Sequence, residues 1–176
     1  MKFRPESEIR SAIAAAMAEH RAAILSALPD VEVEHIGSTA VPGAWTKGDL
    51  DLLVRVSRDQ FYEAVAALRT RYEINQPENW TAEFASFKEA QSSTVGVGVQ
   101  LVLFGGIDDE LFREWRERLL ADPELLESYN NFKLSHADAT SEAYIEAKGK
   151  FIEGVIGERL GTEGRPADPR THDAST

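Results

Sequence analysis

The chain of 176 residues contains no cysteine. Without thiols it forms neither a disulfide nor a thiolate metal site, which suits a reducing, cytoplasmic setting. Basic residues are in the minority, 19 against 30 acidic ones, for a formal net charge of −11. A surface so charged repels a polyanion, so nucleic acid is not an expected partner. A single nucleotide is not excluded, because a metal and one local lysine suffice to hold its phosphates. Long apolar runs are missing as well. None approaches a membrane span, so no membrane association is expected, and the first residues lack the charged-then-apolar layout of a signal segment. What is present is ordinary globular usage, 43% hydrophobic and 28% charged. That is enough for one core-bearing domain, expected over residues 1–160. Residues 161–176, rich in Gly, Pro, Asp and Thr, read as a solvated, disordered tail.

Hydrophobic periodicity gives the order of elements. Pro5 suits a first helical position, and Ile9, Ile13, Met17, Ile24 and Leu28 recur at helical spacing up to the Pro29-Asp30 turn pair. Residues 31–36 alternate, predicting a strand with Val31, Val33 and His35 on one face. Residues 37–48 carry Pro42, Gly43 and Gly48 and read as a loop. Residues 49–56 are apolar enough for a central strand. A helix over about 59–71 follows, with Phe61, Val65, Ala66 and Leu68 inward. After a connection containing Pro77, strands are predicted over 82–90 and 94–104. The second has a period-two face of Val95, Val97, Val99, Leu101 and Leu103, and its glycines at 96 and 98 let another group approach closely. From Asp108 to about residue 160 the pattern is helical, with Asp122-Pro123 as an N-cap and first-turn proline and Thr140 or Ser141 as another cap. This succession predicts an α/β (α+β) domain, a mixed sheet flanked by helices with further helices at its C-terminal end.

The strongest chemical signal is Gly37-Ser38 at the end of one strand and Asp49 and Asp51 on the next. Strand alternation turns both acids to one face and Leu50 and Leu52 to the other. Two carboxylates held that close repel, and a divalent cation relieves the repulsion; oxygen-only ligation favours Mg²⁺, with Mn²⁺ as its substitute. A Gly-Ser turn offers backbone N–H groups and a small hydroxyl to a phosphate. Lys47 stands just before the acids, placed to meet the same phosphates. These parts suit nucleotidyl transfer from a nucleoside triphosphate.

Gly37-Ser38, ten residues, then Asp49-Leu50-Asp51 resembles the signature of the nucleotidyltransferase (polymerase-beta-like) superfamily. Within it, Glu34-His35-Ile36-Gly37-Ser38-Thr39-Ala40-Val41-Pro42-Gly43 looks like the GrpB family. Lys47 and Asp51 fall on that family's Lys and Asp. Phe112 through Leu119-Leu120, Asp122-Pro123-Glu124, Tyr129 with Lys133, and Tyr144 with Lys148 and Phe151 resemble its C-terminal helices, so the likeness spans about 31–156. The resemblance implies a nucleotidyltransferase-like fold and a Mg²⁺-dependent transferase moving a nucleoside monophosphate onto a small-molecule or protein acceptor. Asp49 and Asp51 would be catalytic and hold the metal, while Gly37, Ser38, Lys47 and His35 would bind the nucleotide. Two departures stand out. GrpB-like sequences usually have an apolar residue where this chain has Asp49. Active nucleotidyltransferases also place a third carboxylate on a later strand, where this chain has Gln100. Glu83 or Glu89 on the neighbouring strand is a candidate substitute. The alternative function is a nucleotide-binding or protein-interaction module of the same fold that has lost turnover. An antibiotic-modifying enzyme would share the chemistry and differ in acceptor.

Other residues have plainer explanations beside their chemical ones. His35 is a candidate base or phosphate ligand, but an imidazole hydrogen-bonded within the sheet to orient the Gly37-Ser38 turn is the preferred role. Tyr129/Lys133 and Tyr144/Lys148 lie four apart and could meet a base and a phosphate. We read them instead as amphipathic helices whose tyrosines pack and whose lysines extend to solvent. Trp45 is preferred as a partial-core plug over a base-stacking platform. His20, His35, His136 and His172 show no zinc-binding spacing. Ser38 lacks the strained elbow of a hydrolase nucleophile.

Overall fold

A computed structural model describes residues 1–89 and 95–160; the expected tail at 161–176 and the turn at 91–93 lie outside the described residues. Contacts divide the chain into two compact units, Met1–Asp138 and Ala139–Thr176. In chain order, the first unit holds β1 (Arg4–Pro5), α1 (Arg10–Ala27), β2 (Glu32–Ile36), β3 (Trp45–Thr46), β4 (Leu50–Val56) and α2 (Phe61–Leu68). It continues with β5 (Glu73–Asn75), β6 (Phe84–Lys88), β7 (Val97–Leu103), α3 (Ile107–Ala121) and α4 (Pro123–Ser135). The second unit contains α5 (Ser141–Leu160), where Thr140 Oγ1 accepts the Ala143 N–H at 3.3 Å.

Five strands form one mixed sheet in the order β2-β4-β7-β6-β5. Only β4 and β7 run parallel, with Asp51 opposite Gly98 and Leu53 opposite Gln100; β2, β6 and β5 join antiparallel. The predicted apolar alternation on β7 holds: Val95, Val97, Val99, Leu101 and Leu103 all enter the main core. Leu50, Leu52, Val54 and Val56 of β4 join them there, with Ile13 and Ile24 of α1 and Phe61, Ala64 and Leu68 of α2. Each such Leu or Ile contributes about 1.5–3 kcal/mol through loss of contact with water. The opposite face has a small apolar cluster of Ile36, Leu53 and Val102, packed by Phe84 and Phe112.

That second face is charged. Arg55 of β4, 6% exposed, bonds Asp109 of α3 through Nε and Nη2 at 2.6 and 2.8 Å. Its Nη1 reaches Glu32 at 2.5 Å and Glu34 at 3.1 Å on β2, and its guanidinium lies 4.2 Å from the Phe104 ring centre. Burial pushes the Asp109 carboxyl up. The Arg55 guanidinium and the Gly105 N–H outweigh this and hold it below the ordinary value. Arg55 thereby fastens β4 to both β2 and α3.

Three local expectations change. Pro5 does not open a helix. It is extended, with ψ 138°, and pairs with Trp45 in a two-stranded ribbon; α1 starts later, after a single 3-10 turn at Glu6–Glu8. On α2, Ala64 is buried and Ala66 exposed, because a 100° step per residue carries position 66 off the face shared by 61, 64 and 68. The Pro77 connection contains β5, an edge strand of three residues, too short to show a period of two. The Asp122 cap forms as expected: its Oδ1 accepts from Glu124 N and Leu125 N at 2.9 and 3.0 Å.

Candidate active site

The segment between β2 and β4 carries the motif. β2 ends at Ile36, opposite Asp51, and its last residues are held from α3. Arg116 donates to the His35 carbonyl at 3.0 Å and pairs with Glu34 at 2.8 Å. Gly37 then turns the chain with φ +75°. A side chain there would be strained by the backbone and would also overlap Asp51 Oδ2. Glycine alone meets both conditions. Ser38–Ala40 form one 3-10 turn.

Leu50 N–H bonds Gly96 O at 2.7 Å, which extends the β4–β7 ladder to Asp49. On the face of Asp51, the positions next to it are Gly96, just before β7, and Gly98 within it. Having no side chains, they leave a trough. A Cβ on Gly96 would lie 2.6 Å from Asp49 Oδ1, and one on Gly98 would lie 3.1 Å from Asp51 Oδ1. Both acids therefore lean over β7 from the same side. Asp49 is exposed and Asp51 half-buried. Gln100 is next along that face, and its buried Oε1 accepts no hydrogen bond. Three oxygen-bearing side chains converge on glycine backbone.

His35 is not brought to this trough. Alternation puts its ring on the α1 side of the sheet, where Nε2 meets Thr39 Oγ1 at 2.9 Å. Thr39 gives its one hydroxyl proton to Asp49 O at 3.0 Å, so His35 Nε2 carries the proton it donates to Thr39. Burial first, then the positive charge of Arg116, hold the imidazole below its ordinary pKa, with Glu6 opposing. The neutral ring braces the turn and, through Thr39, the main chain of Asp49.

The opposite side of the loop rests on α4. Asn130 donates to Gly43 O at 3.0 Å and accepts from Trp45 N at 2.8 Å. Lys133 does not extend to solvent. It is 1% exposed, its Nζ bonds Trp45 O and Ser38 Oγ at 3.3 Å, and it lies 4.2 Å from the Tyr129 ring centre. The four-residue spacing of Tyr129 and Lys133 was the available sign, but nothing in helical periodicity says that the lysine lies under the Gly-Ser turn. Trp45 is half-buried and Lys47 exposed, in the stretch leading to Asp49.

Neither candidate for a third acid faces the trough. Glu83 pairs with Arg58, and Glu89 lies 3.7 Å from His20 on α1. Among the described residues no three His, Asp or Glu side chains gather as a metal set. Nor is any described helix long and apolar enough to cross a membrane.

The model of the GrpB protein family matches residues 7–158. The chain belongs to the GrpB family. Within that family it is 33% identical to a UPF0157 protein of Vibrio cholerae over 160 residues, covering 90% of this chain and 83% of that one. A UPF0157 protein of Streptomyces coelicolor is 41% identical over 63 residues, 33% of this chain and 34% of the relative. The crystal structure of GrpB from Enterococcus faecalis superposes with a TM-score of 0.66 at 22% identity, over 85% of this chain and 93% of that chain. This agrees with the fold described above. The Cid1 poly(U) polymerase with MgGTP bound aligns over 70% of this chain and 41% of its own, with a TM-score of 0.47 and 15% identity. So slight a likeness transfers nothing to this GrpB chain.

Proposed function

We propose that this GrpB chain is a Mg²⁺-dependent nucleotidyltransferase that moves a nucleoside monophosphate from a triphosphate to a small-molecule or protein acceptor. The observation that supports it most is the trough: Asp51 is packed against Gly37 and leans with Asp49 over glycines whose missing side chains make room for both carboxylates. The two carboxylates form an oxygen-only donor set that fits Mg²⁺ or Mn²⁺. When bound, the cation would neutralise charge on the phosphates and draw electrons from the α-phosphorus. Ser38 offers its hydroxyl beside Gly37, and Lys133 behind it and Lys47 in the approach to Asp49 supply positive charge for the triphosphate. The acceptor's oxygen or nitrogen forms a bond to the α-phosphorus, the bond to the β-phosphate oxygen breaks, and pyrophosphate leaves. The acceptor's proton passes to water. The net charge of −11 favours a cationic or neutral acceptor over nucleic acid. The lack of cysteine supports a cytoplasmic location.

A second function is favoured by one observation, the amide of Gln100 where a third acid would complete a two-metal centre. In that case the chain binds nucleotide, or a partner protein, without turnover. Incubation with labelled ATP, GTP, CTP or UTP and Mg²⁺ separates the two. Pyrophosphate release or self-labelling is expected, falling about a hundredfold or more in Asp51→Asn. Nucleotide binding without release, across all four and with added acceptors, would establish the non-catalytic module instead.

A further inference from the structure

We infer that Gln100 is the third oxygen ligand of the cation held by Asp49 and Asp51, and that its neutral amide limits the trough to a single divalent ion. The inference rests on the metal-dependent function proposed above and goes on to the identity and number of ligands. Its starting point is an orphan. Gln100 Oε1 is buried and accepts no hydrogen bond, a state that is costly in a folded protein and calls for a missing partner.

The cross-strand neighbours supply none. Ser86, opposite Gln100 on β6, donates its hydroxyl proton to Asn75 O at 2.6 Å. Leu53, opposite on β4, is apolar. Glu34, one strand further, is an acceptor already engaged by Arg55, Arg113 and Arg116. The amide does have one open direction, over Gly98. The point a Cβ would occupy there is 3.1 Å from Asp51 Oδ1, 3.6 Å from Gln100 Nε2 and 3.9 Å from Gln100 Oε1. The terminal torsion of glutamine is broad, so Oε1 turns toward Asp51 without moving the backbone. A metal cation can be held by a carboxylate and an amide oxygen together.

Charge then sets the number. Two carboxylates match one dication, and an amide adds a donor without adding charge. A second dication beside the first would meet like-charge repulsion with no further anion to offset it. Glu83 and Glu89, which flank β6, are turned to Arg58 and His20. An acid at position 100 would remove the limit.

Mn²⁺ binding to the full chain, followed by electron paramagnetic resonance and calorimetry without nucleotide, tests this. The wild type is expected to bind one Mn²⁺ per chain and Asp51→Asn none. Gln100→Leu, similar in size but lacking the oxygen, should bind about tenfold more weakly or worse, the loss seen when even an outer partner of a metal ligand is removed. Gln100→Glu should bind more tightly or take up a second ion, and it keeps the test decisive should the leucine variant not fold. Unchanged affinity and stoichiometry in both Gln100 variants, beside a wild type that binds, would overturn the inference and leave the metal-dependent function standing. Two ions in the wild type would overturn the limit to one. No Mn²⁺ in the wild type would remove both.

Discussion

The two faces of the central sheet are built from the same strands and serve opposite ends. On the α1 and α2 side, alternate residues of β4 and β7 are Leu and Val in an unbroken core. On the other side, the same two strands present Asp51, Leu53 and Arg55, and Gly98, Gln100 and Val102. Polar groups at a sheet centre cost free energy, and here Arg55 is matched by three carboxylates and Gln100 is placed to meet the proposed ion. The apolar face needs only volume and shape and tolerates exchange among hydrophobes. The charged face needs named groups at named distances. Stability resides mainly in the first and the candidate site in the second.

The comparison breaks most visibly at Arg55. Arg55→Leu should destabilise the fold by about 3–5 kcal/mol, because Asp109, 1% exposed, keeps its charge without the guanidinium bonded to it. Urea unfolding measures this, and Arg55→Met combined with Asp109→Leu should recover most of the loss. If the single variant costs no more than an exposed substitution, the charged face is not anchored by this pair. Gly37→Ala should cost less, about 1–3 kcal/mol from the left-handed backbone, while displacing Asp51. Its thermal response to Mn²⁺ should fall even where the metal-free fold survives. A Gly37→Ala protein stabilised by Mn²⁺ as strongly as the wild type would separate the turn from the acids.

The dependence on pH sharpens the contrast from the apolar side. His35 and His20 are held below the ordinary histidine pKa, burial being the largest cause in both. The unfolded chain therefore takes up their protons first. Their contribution is complete above the unfolded value near 6.5 and is lost as pH falls from there toward the lower folded values. Melting temperatures should drop between pH 7.5 and 5.5, and His35→Asn should flatten part of that slope. A slope unchanged in His35→Asn would mean that the ring is solvated and does not brace Thr39. At the low end, Lys150→Ala removes an exposed pair with Glu146 and should leave the urea midpoint unmoved.

Much of the site was legible along the chain. A period of two turned Asp49 and Asp51 to one side, and Gly37 and the glycines at 96 and 98 marked where backbone would meet side chain. What escaped lay across long separations. The bond from Lys133 to Ser38 joins residues 95 apart, and that from Arg116 to the His35 carbonyl spans 81. Spacing reports which residues share a face of their own element and is silent about the element that face will meet. Spacing alone therefore reads Lys133 as a solvent-seeking lysine and leaves Glu83 and Glu89 open as substitutes, whereas the folded chain turns them to Arg58 and His20.

Local chemistry within the chain determined the strands, the acid pair and the turn that only glycine can make, because alternation and steric allowance act between near neighbours. The tertiary structure decided which side of the sheet is charged, that α4 closes the Gly-Ser turn with a buried lysine, and that the trough ends in an amide. Those outcomes depend on register between strands and on helix docking, which are set by the packing of surfaces distant in sequence.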